Sequence, residues 1–375
     1  MRNACRFEVF IVKLTLILRL IMPPCVKLAL VGAGRVAQHY KLILDSGVVS
    51  GFQVVSVCDV DDKAAKQLAK HWGCSFYNNI KEAIEISEPD LVVVLTPSGL
   101  HYEHTLIALE HGCNVLVEKP IAMRPSQIEH LIKISNTNGL LLCVAFQNRL
   151  NPAVQSLRNA VVNNRFGQVT TATIRLRWCR NQSYYEDGWH GTWNQDGGVI
   201  NQQAIHHVDV LQWLMGPIDK VCALTANRIN VLEAEDTLVA VLQFENGALG
   251  TIEATTAARP VDLEASISIV GEKGVVVIDG IALNKIKTWN FIDVQPEDAY
   301  IPILCSVEVP NGYGLSHGPL LQEIISICQE KGVKAPVSAD DGLRTCRIIH
   351  ALYASVELGG WVSLRENPLS EKLGN

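Results

Sequence analysis

The sequence contains no pair of cysteines at CxxC spacing, although it has 11 cysteines among its 375 residues. The absence of such a pair excludes zinc ribbons and thioredoxin-type redox sites. The number of cysteines is odd and their positions are scattered, in a chain long enough to build a core without disulfide bonds. We therefore expect reduced, mostly buried thiols in a cytosolic protein.

Basic residues are also few, since 32 Lys and Arg against 38 Asp and Glu give a formal net charge of -6. This balance lacks the electrostatic footprint of a nucleic-acid-binding protein. Low-complexity tracts are absent and 48% of the residues are hydrophobic, which excludes a disordered chain. No metal site is indicated, because His101 and His104 do not form an HExxH motif and no third ligand is suitably spaced.

Hydrophobic runs long enough to span a membrane are absent as well. Residues 7–22 are apolar but contain three charged side chains, and the segment is shorter than the ~18–20 residues that a span requires. It is also a poor signal peptide. We predict that residues 1–21 are an extension outside the fold, that Met22 is the functional start, and that the protein is cytoplasmic. An interfacial membrane anchor is the alternative interpretation.

The length predicts two domains, and the pattern of the chain changes near residue 150. Before that point, strand-like and helix-like segments alternate, which predicts a doubly wound parallel sheet. Afterwards apolar and polar residues alternate, and Asn246-Gly247 is a hairpin signal, which predicts a largely antiparallel sheet with helices. The predicted strands are 26–34, 52–60, 90–97, 114–120, 140–146, 169–178, 236–244, 248–256 and 263–271. The predicted helices are 35–46, 61–71, 79–86, 101–112, 125–138, 151–163, 201–215, 318–331 and 339–358.

A glycine-rich turn follows the first strand and opens a helix, with Gly32, Gly34 and Ala37 in the pattern G-x-G-x-x-A. The first glycine permits the tight turn, the second allows close approach of a pyrophosphate, and the alanine keeps the helix near the sheet. Asp59 ends the second strand, where a carboxylate binds adenosine ribose hydroxyls and disfavours a 2′-phosphate. The pattern therefore predicts NAD; a glycine-rich turn without a nucleotide is the alternative.

Polar residues end the next two strands, where doubly wound sheets bind ligands. Thr96-Pro97-Ser98 ends one strand, and Glu118-Lys119-Pro120 ends the other. Lys119 is placed to project into the cofactor crevice, whereas a Lys-Pro pair on its own is more often a surface turn.

A further cluster follows Gly197-Gly198 in the second half of the chain. Gln202, His206 and Asp209 have i, i+4 and i+7 spacing, which predicts that one helical face carries all three. His207 points about 100° away on a helix and is expected to be structural.

Together, VGAGRVA, the strand-end EKP and this Gln/His/Asp cluster resemble the glucose–fructose oxidoreductase/inositol dehydrogenase/MocA family over residues 26 to 367. The runs QNR (147–149), YYEDGWHGTW (184–193), LQWLMGP (211–217) and residues 267–286 resemble one branch of it. That branch uses NAD to oxidise the C3 hydroxyl of a UDP-linked N-acetylated amino-sugar uronate in surface-polysaccharide biosynthesis. The resemblance implies a Rossmann NAD-binding domain (22–148) and an α+β domain with a large mostly antiparallel sheet (149–375) for substrate binding and oligomerisation.

The resemblance also implies roles for individual residues. Lys119 and His206 match the catalytic residues, with Lys119 or His206 as the base. Gln202 stands where the family usually has Asp or Asn, and His190 stands where the branch tends to carry Arg. The segment 313–323 departs from the expected glycine-histidine-proline run. The implied cofactor-binding residues are Gly32, Gly34, Arg35, Val36, Asp59, Thr96, Pro97, Ser98, His101, Glu118, Lys119 and Gln147. The implied substrate-binding residues are Lys119, Asn148, Arg149, Trp189, His190, Gln202, His206, Tyr313 and His317.

Two alternatives to this function stay open at the level of sequence. One is another sugar or cyclitol dehydrogenase, and the other is a non-catalytic regulator that senses NAD. A non-catalytic regulator is disfavoured, because the residues that match the catalytic pair, Lys119 and His206, are both present. The second sheet is expected to expose apolar residues, including Leu249 and Ile267, on its uncovered face. This predicts sheet-to-sheet association into a homodimer or homotetramer.

Overall fold

The computed structural model describes residues 25–329 and 335–375. The predicted extension 1–21, its Met22 start and the last two residues of the helix predicted at 318–331 lie outside the described residues. Within the described ranges, no helix is long and apolar enough to cross a membrane. The described cysteines are all free thiols, but only four of the ten are buried, so the expectation of mostly buried thiols was wrong.

A six-stranded parallel sheet forms the first half of the chain, with the strand order β3-β2-β1-β4-β5-β6. This order is that of a doubly wound dinucleotide-binding sheet, and it confirms the predicted fold class. The strands are β1 (Val26–Val31), β2 (Phe52–Cys58), β3 (Ser75–Tyr77), β4 (Leu91–Val94), β5 (Asn114–Val117) and β6 (Leu142–Val144). The helices are α1 (Arg35–Asp45), α2 (Asp62–Trp72), α3 (Ile80–Ser87), α4 (His101–Glu110) and α5 (Pro125–Asn138).

An eight-stranded sheet follows, with the order β13-β12-β11-β7-β10-β9-β8-β14. All its pairs are antiparallel except β7 with β10, and Asn246-Gly247 forms the predicted hairpin between β9 and β10. The strands are β7 (Val169–Arg177), β8 (Ile218–Ala226), β9 (Thr237–Phe244), β10 (Leu249–Thr255), β11 (Glu264–Gly271), β12 (Gly274–Asp279), β13 (Lys285–Phe291) and β14 (Val362–Ser363).

The helices of the second half differ from the sequence prediction at two places, one of which is the unpredicted short helix Ile301–Leu304. The segment predicted as one helix over 201–215 is two helices, because the chain turns between Gln202 and Ile205. Gln202 and Asp209 therefore do not share one helical face. The helices are α6 (Pro152–Val162), α7 (Val199–Gln202), α8 (Ile205–Met215), α9 (Ile301–Leu304), α10 (His317–Gln329) and α11 (Ala339–Leu358).

One face of the second sheet lacks a helical cover among the described residues. Leu249 lies on this open face and is 58% exposed, as predicted. Ile267 was assigned to the same face wrongly, because the register pairs it with Ile174 and places both side chains in the core. The exposed apolar side chains of the open face are Leu224, Val239, Val241, Leu249 and Val270.

The C-terminal helices join the two sheets. α10 packs against α1, and α11 packs against both α5 and β8, so it contacts the helical cover of the first sheet and a strand of the second. Leu321 and Ile324 of α10 belong to the same hydrophobic core as the first sheet. This packing holds the second sheet against the carboxyl ends of the parallel strands, where a deep cavity opens.

Candidate active site

The cavity has a volume of about 960 Å³ and begins at the turn after β1. Gly32 has φ +104° there, and a Cβ at this position would stand 2.7 Å from the carbonyl oxygen of Leu95. Gly34 also lines the cavity, and a Cβ on it would meet no atom within 4 Å. The turn is therefore packed tightly on the protein side and open on the cavity side, as a bound pyrophosphate requires.

The amino end of α1 faces this space without an internal partner. No side chain caps the helix and its first turn contains no acidic residue, so backbone N–H groups near Arg35 and Val36 remain available to an anion. Asp59 accepts hydrogen bonds from the backbone N–H of Ala33 at 2.6 Å and of Asp61 at 2.8 Å. Its carboxylate fixes the turn and still has acceptor sites for ribose hydroxyls, so these residues fit a dinucleotide.

Lys119 and His206 line the same cavity, although they come from different halves of the chain. Lys119 Nζ donates to the backbone carbonyl of Gln202 at 2.6 Å and to the side-chain Oε1 of the same residue. Two of its three hydrogens are thus committed to α7, which leaves one for a ligand in the cavity.

Burial and neighbouring charges set the protonation states of His206, Lys119 and Glu118. Burial, followed by the charge of Lys119, holds the pKa of His206 well below its usual value, so the imidazole is neutral at pH 7. Burial also lowers the pKa of Lys119, against the opposing attraction of Glu118. Burial alone would raise the pKa of Glu118, but a hydrogen bond and charge from His317, followed by the charge of Lys119, bring it down to about 2.

An aromatic wall carries His190 on the other side of the cavity. His190 Nδ1 lies 2.5 Å from Oδ2 of Asp187, and its ring packs on Trp189 and Tyr184. Burial outweighs the hydrogen bond that His190 donates to Asp187 and lowers the pKa of His190 to about 4. A neutral histidine therefore occupies this place at pH 7.

Several residues of the cavity wall carry buried polar atoms that have no partner among the described residues. These atoms are Oε1 of Gln147, Nε1 of Trp178, Oε1 of Gln203 and Nδ1 of His206. Leaving such atoms unpaired costs about 1–3 kcal/mol each, so they indicate places where a ligand supplies the partner. Their mixture of donors and acceptors suits hydroxyl and amide groups.

Most of the predicted site residues line this cavity, but four do not. Ser98, His101, Asn148 and Arg149 are buried outside its wall. The ring nitrogens of His101 lie within hydrogen-bond distance of the Pro120 and Thr96 carbonyls, so this side chain joins strand ends.

Arg149 is engaged elsewhere. Its guanidinium donates to Asp209 at 2.6 and 2.7 Å and lies 3.1 Å from Asp341. Because the Arg149 guanidinium is buried and paired with two carboxylates, it has a structural role. The prediction that Arg149 binds substrate was therefore wrong.

The structure also brings to the cavity residues that the sequence did not indicate. Trp178 and Arg180 come just after the end of β7. Their position at a strand end was the sequence feature that could have indicated them. Several other wall residues lie in irregular segments that carry no such signal. The additional residues are Val31, Cys58, Val60, Asn78, Asn79, Ile80, Leu95, Leu100, His104, Trp178, Arg180, Tyr184, Asp187, Gln203, Asp262, Asn311 and Gly312.

Among the described residues, no group of three or more His, Cys, Asp or Glu side chains is arranged to hold a metal ion. The doubly wound sheet, the open turn and the Lys119–His206 pair define a dinucleotide-dependent oxidoreductase. Residues 26–146 match the model described as an oxidoreductase family with an NAD-binding Rossmann fold, and residues 158–364 match its C-terminal alpha/beta domain. The chain belongs to this Gfo/Idh/MocA oxidoreductase family, and NAD is its cofactor.

Two solved structures are similar over nearly the whole chain. The WlbA dehydrogenase of Chromobacterium violaceum, in complex with NADH and UDP-GlcNAcA, is 32% identical with a TM-score of 0.84, covering 92% of this chain and 98% of that one. The Bordetella pertussis WlbA dehydrogenase, with the same ligands, is 31% identical with a TM-score of 0.84, covering 92% and 99%. D-glucoside 3-dehydrogenase of Escherichia coli is 30% identical over 254 residues, 62% of this chain and 70% of that protein.

Proposed function

We propose that this enzyme oxidises the C3 hydroxyl of the UDP-linked N-acetylated amino-sugar uronate UDP-GlcNAcA to the 3-keto sugar. The observation that carries the proposal is the convergence of Lys119 and His206 on a cavity that begins at the dinucleotide turn. The similarity to two dehydrogenases whose structures contain NADH and UDP-GlcNAcA supports this substrate. The reaction would serve surface-polysaccharide sugar biosynthesis in the cytoplasm.

NAD+ supplies the hydride acceptor for this chemistry. When the C–H bond breaks, the hydroxyl proton must leave so that the carbonyl forms. His206 is neutral and recessed in the wall, so it accepts that proton as the general base. Lys119 donates its remaining hydrogen to the same oxygen and stabilises the charge that develops there. Gln202 holds Lys119 in this position through both of its oxygens.

In this proposal, Arg180 binds the anionic part of the substrate. His190 stands where the resembling branch tends to carry Arg, and it is neutral and bound to Asp187. Arg180 lines the cavity over the Trp178 ring, 5.0 Å from its centroid, with Asp262 at 3.1 Å as its only carboxylate partner among the described residues. Its remaining donors are available to the sugar carboxylate or the diphosphate.

A panel of substrates tests the proposal directly. The purified enzyme is incubated with NAD+ and UDP-GlcNAcA, UDP-GlcNAc, methyl glucoside or inositol, and NADH formation is followed. Mass spectrometry of the product after borodeuteride reduction locates the carbonyl carbon. NADH formation with UDP-GlcNAcA and label at C3 is expected, whereas oxidation of a different sugar alone refutes this substrate.

A second candidate is oxidation of a simple D-glucoside at C3. It is favoured by the similarity to the Escherichia coli D-glucoside 3-dehydrogenase and by the neutral state of His190, which removes a charge from the wall. The cyclitol alternative has no such support in the site. The ratio of kcat/KM values for UDP-GlcNAcA and methyl glucoside decides between the two sugars.

We further propose that residues 22–148 form the NAD-binding domain and that residues 149–375 bind substrate and associate with a second copy. The open face of the second sheet supports self-association, because the register pairs Leu224 with Val239 across β8 and β9, and Val241 and Leu249 are exposed on the same face. An apolar surface of this kind is typical of an interface.

A further inference from the structure

Three titratable side chains form a line that leads away from the cavity. Glu118 and His317 line the cavity, and Nε2 of His317 lies 3.6 Å from Oε1 of Glu118. Nδ1 of His317 lies 3.3 Å from Nε2 of His39 on α1. His39 is half-buried and is not part of the cavity wall. The line therefore starts at the site of chemistry and ends at a half-buried side chain of α1.

Neighbouring aromatic side chains fix the positions of these three groups. The Tyr40 hydroxyl donates to Oε1 of Glu118 at 3.0 Å, so the carboxylate has one orientation. Tyr313 stacks on His39 with ring centroids 4.5 Å apart and an angle of 17° between the planes. The planes of the two imidazoles meet at an angle of 79°, and Nδ1 of His317 lies within hydrogen-bond distance of Nε2 of His39.

Oxidation of an alcohol by NAD+ yields a ketone, NADH and one proton in every turnover. The base that takes this proton lies deep in a cavity that substrate and cofactor fill. We propose that Glu118, His317 and His39 form a relay that carries this proton from the cavity to solvent at α1. The proposal rests on the proposed function as a dehydrogenase, but not on the identity of the sugar.

Each transfer in the relay exchanges only N–H and O–H bonds. Glu118 takes the proton that His206 releases into the cavity and passes it to Nε2 of His317, while Nδ1 of the same ring releases its own proton to Nε2 of His39. His39 then releases a proton from its other nitrogen to water, so one proton enters the line and one leaves it. No group gains or loses electrons.

The pKa values of the groups in this line favour transfer of a proton over its retention. Burial, followed by the nearby His317, lowers the pKa of His39 to about 4, against a small opposing effect of Glu118. The pKa of Glu118 is about 2, because His317 and Lys119 outweigh its burial. Neither end of the line therefore holds a proton at pH 7.

The variant that tests the relay is His39→Ala, which leaves a ring-sized space beside Tyr313. We expect kcat to fall about 10-fold, less than the loss for a direct general base. Imidazole in the buffer restores kcat, because it accepts and releases protons at two nitrogens. 1-Methylimidazole has nearly the same shape but lacks the N–H group, and it does not restore kcat.

The matched control is His71→Gln, which removes a partly exposed histidine that contacts Asp45 at the opposite end of α1. This variant keeps the activity of the wild type. A His39→Ala enzyme within about twofold of the wild type, or one restored equally by both imidazoles, overturns the relay. The second result would mean that the ring only fills space.

A measurement on the cofactor-free protein provides a readout besides activity. A nitrogen NMR spectrum of the wild type is expected to show a hydrogen-bonded imidazole N–H that is lost in both His39→Ala and His317→Gln. Its presence in either variant contradicts the contact on which the relay depends. The substrate panel separates the two proposals: if another sugar replaces UDP-GlcNAcA, the His39 comparison is made with that sugar.

Discussion

Lys119 Nζ donates a 2.6 Å hydrogen bond to the backbone carbonyl of Gln202, and this contact links the segment that follows β5 to the last residue of α7. One residue belongs to the dinucleotide half and the other to the second half of the chain. The reacting groups therefore reach their positions only when the two sheets are packed together.

Removing either reacting side chain is expected to abolish turnover without loss of cofactor. Lys119→Met and His206→Ala should each lower kcat by about 10²–10⁴-fold, because general acid–base assistance has this size. NADH binding, measured by fluorescence, should be retained. Lys133→Met on the exposed side of α5 is the control and should be as active as the wild type. Full activity in either active-site variant would contradict the assignment.

Arg180 is expected to select acidic substrates. Arg180→Gln should raise KM for UDP-GlcNAcA by about 10- to 100-fold, since a charge-assisted hydrogen bond contributes roughly 1.5–3 kcal/mol. The KM for an uncharged glucoside should change much less. Arg180→Lys should restore part of the affinity for the acid. Equal losses for acidic and neutral sugars would show that Arg180 only supports the wall.

The buried ion pair between Arg149 and Asp209 is expected to stabilise the fold rather than bind substrate. Asp209→Ala should lower the free energy of unfolding by about 3–5 kcal/mol, because it removes the carboxylate that accepts two hydrogen bonds from this buried guanidinium and leaves only Asp341 beside it. Glu129→Ala breaks an exposed pair with Arg347 and should cost less than about 1 kcal/mol. Urea denaturation of both variants measures the difference, and similar costs would refute it.

Glu235 is expected to make stability fall as pH rises. Burial raises its pKa to about 8, so the folded state retains a proton that the unfolded chain loses near pH 4.5. Between these pH values the unfolded state gains up to ~1.4 kcal/mol for each pH unit. Glu235→Gln keeps the acceptor for Tyr353 and Ile200 and should flatten the decline in Tm from pH 5 to 8. An unchanged slope in this variant would assign the decline to another group, such as Asp196.

The open face of the second sheet is expected to hold copies of the chain together. Leu249→Glu replaces an exposed apolar side chain of this face with a charge and should convert the dimer or tetramer to smaller species. Ile86→Glu substitutes an equally exposed apolar residue on α3 and should leave the assembly intact. Light scattering after size exclusion measures the mass. A wild-type monomer would refute the interface.

The sequence by itself determined the architecture of the first half and the turn that opens the cavity. Short-range patterns predict these features, because buried apolar strands alternate with helices and the glycine pattern marks the turn in which Gly32 has a positive φ. The sequence also determined that Lys119 follows a strand, because the end of a hydrophobic run predicts the end of a strand.

Only the tertiary structure decided which polar residues face the cavity. Arg149 lies two residues after the cavity-lining Gln147, yet it pairs with Asp209 from α8, and no local sequence pattern indicates this long-range partner. Ile267 was placed on the wrong face because alternation gives two faces but not their orientation, which the register with Ile174 decides. The proposed role of His39 also depends on tertiary structure, because its partner His317 lies on α10, 278 residues further along the chain.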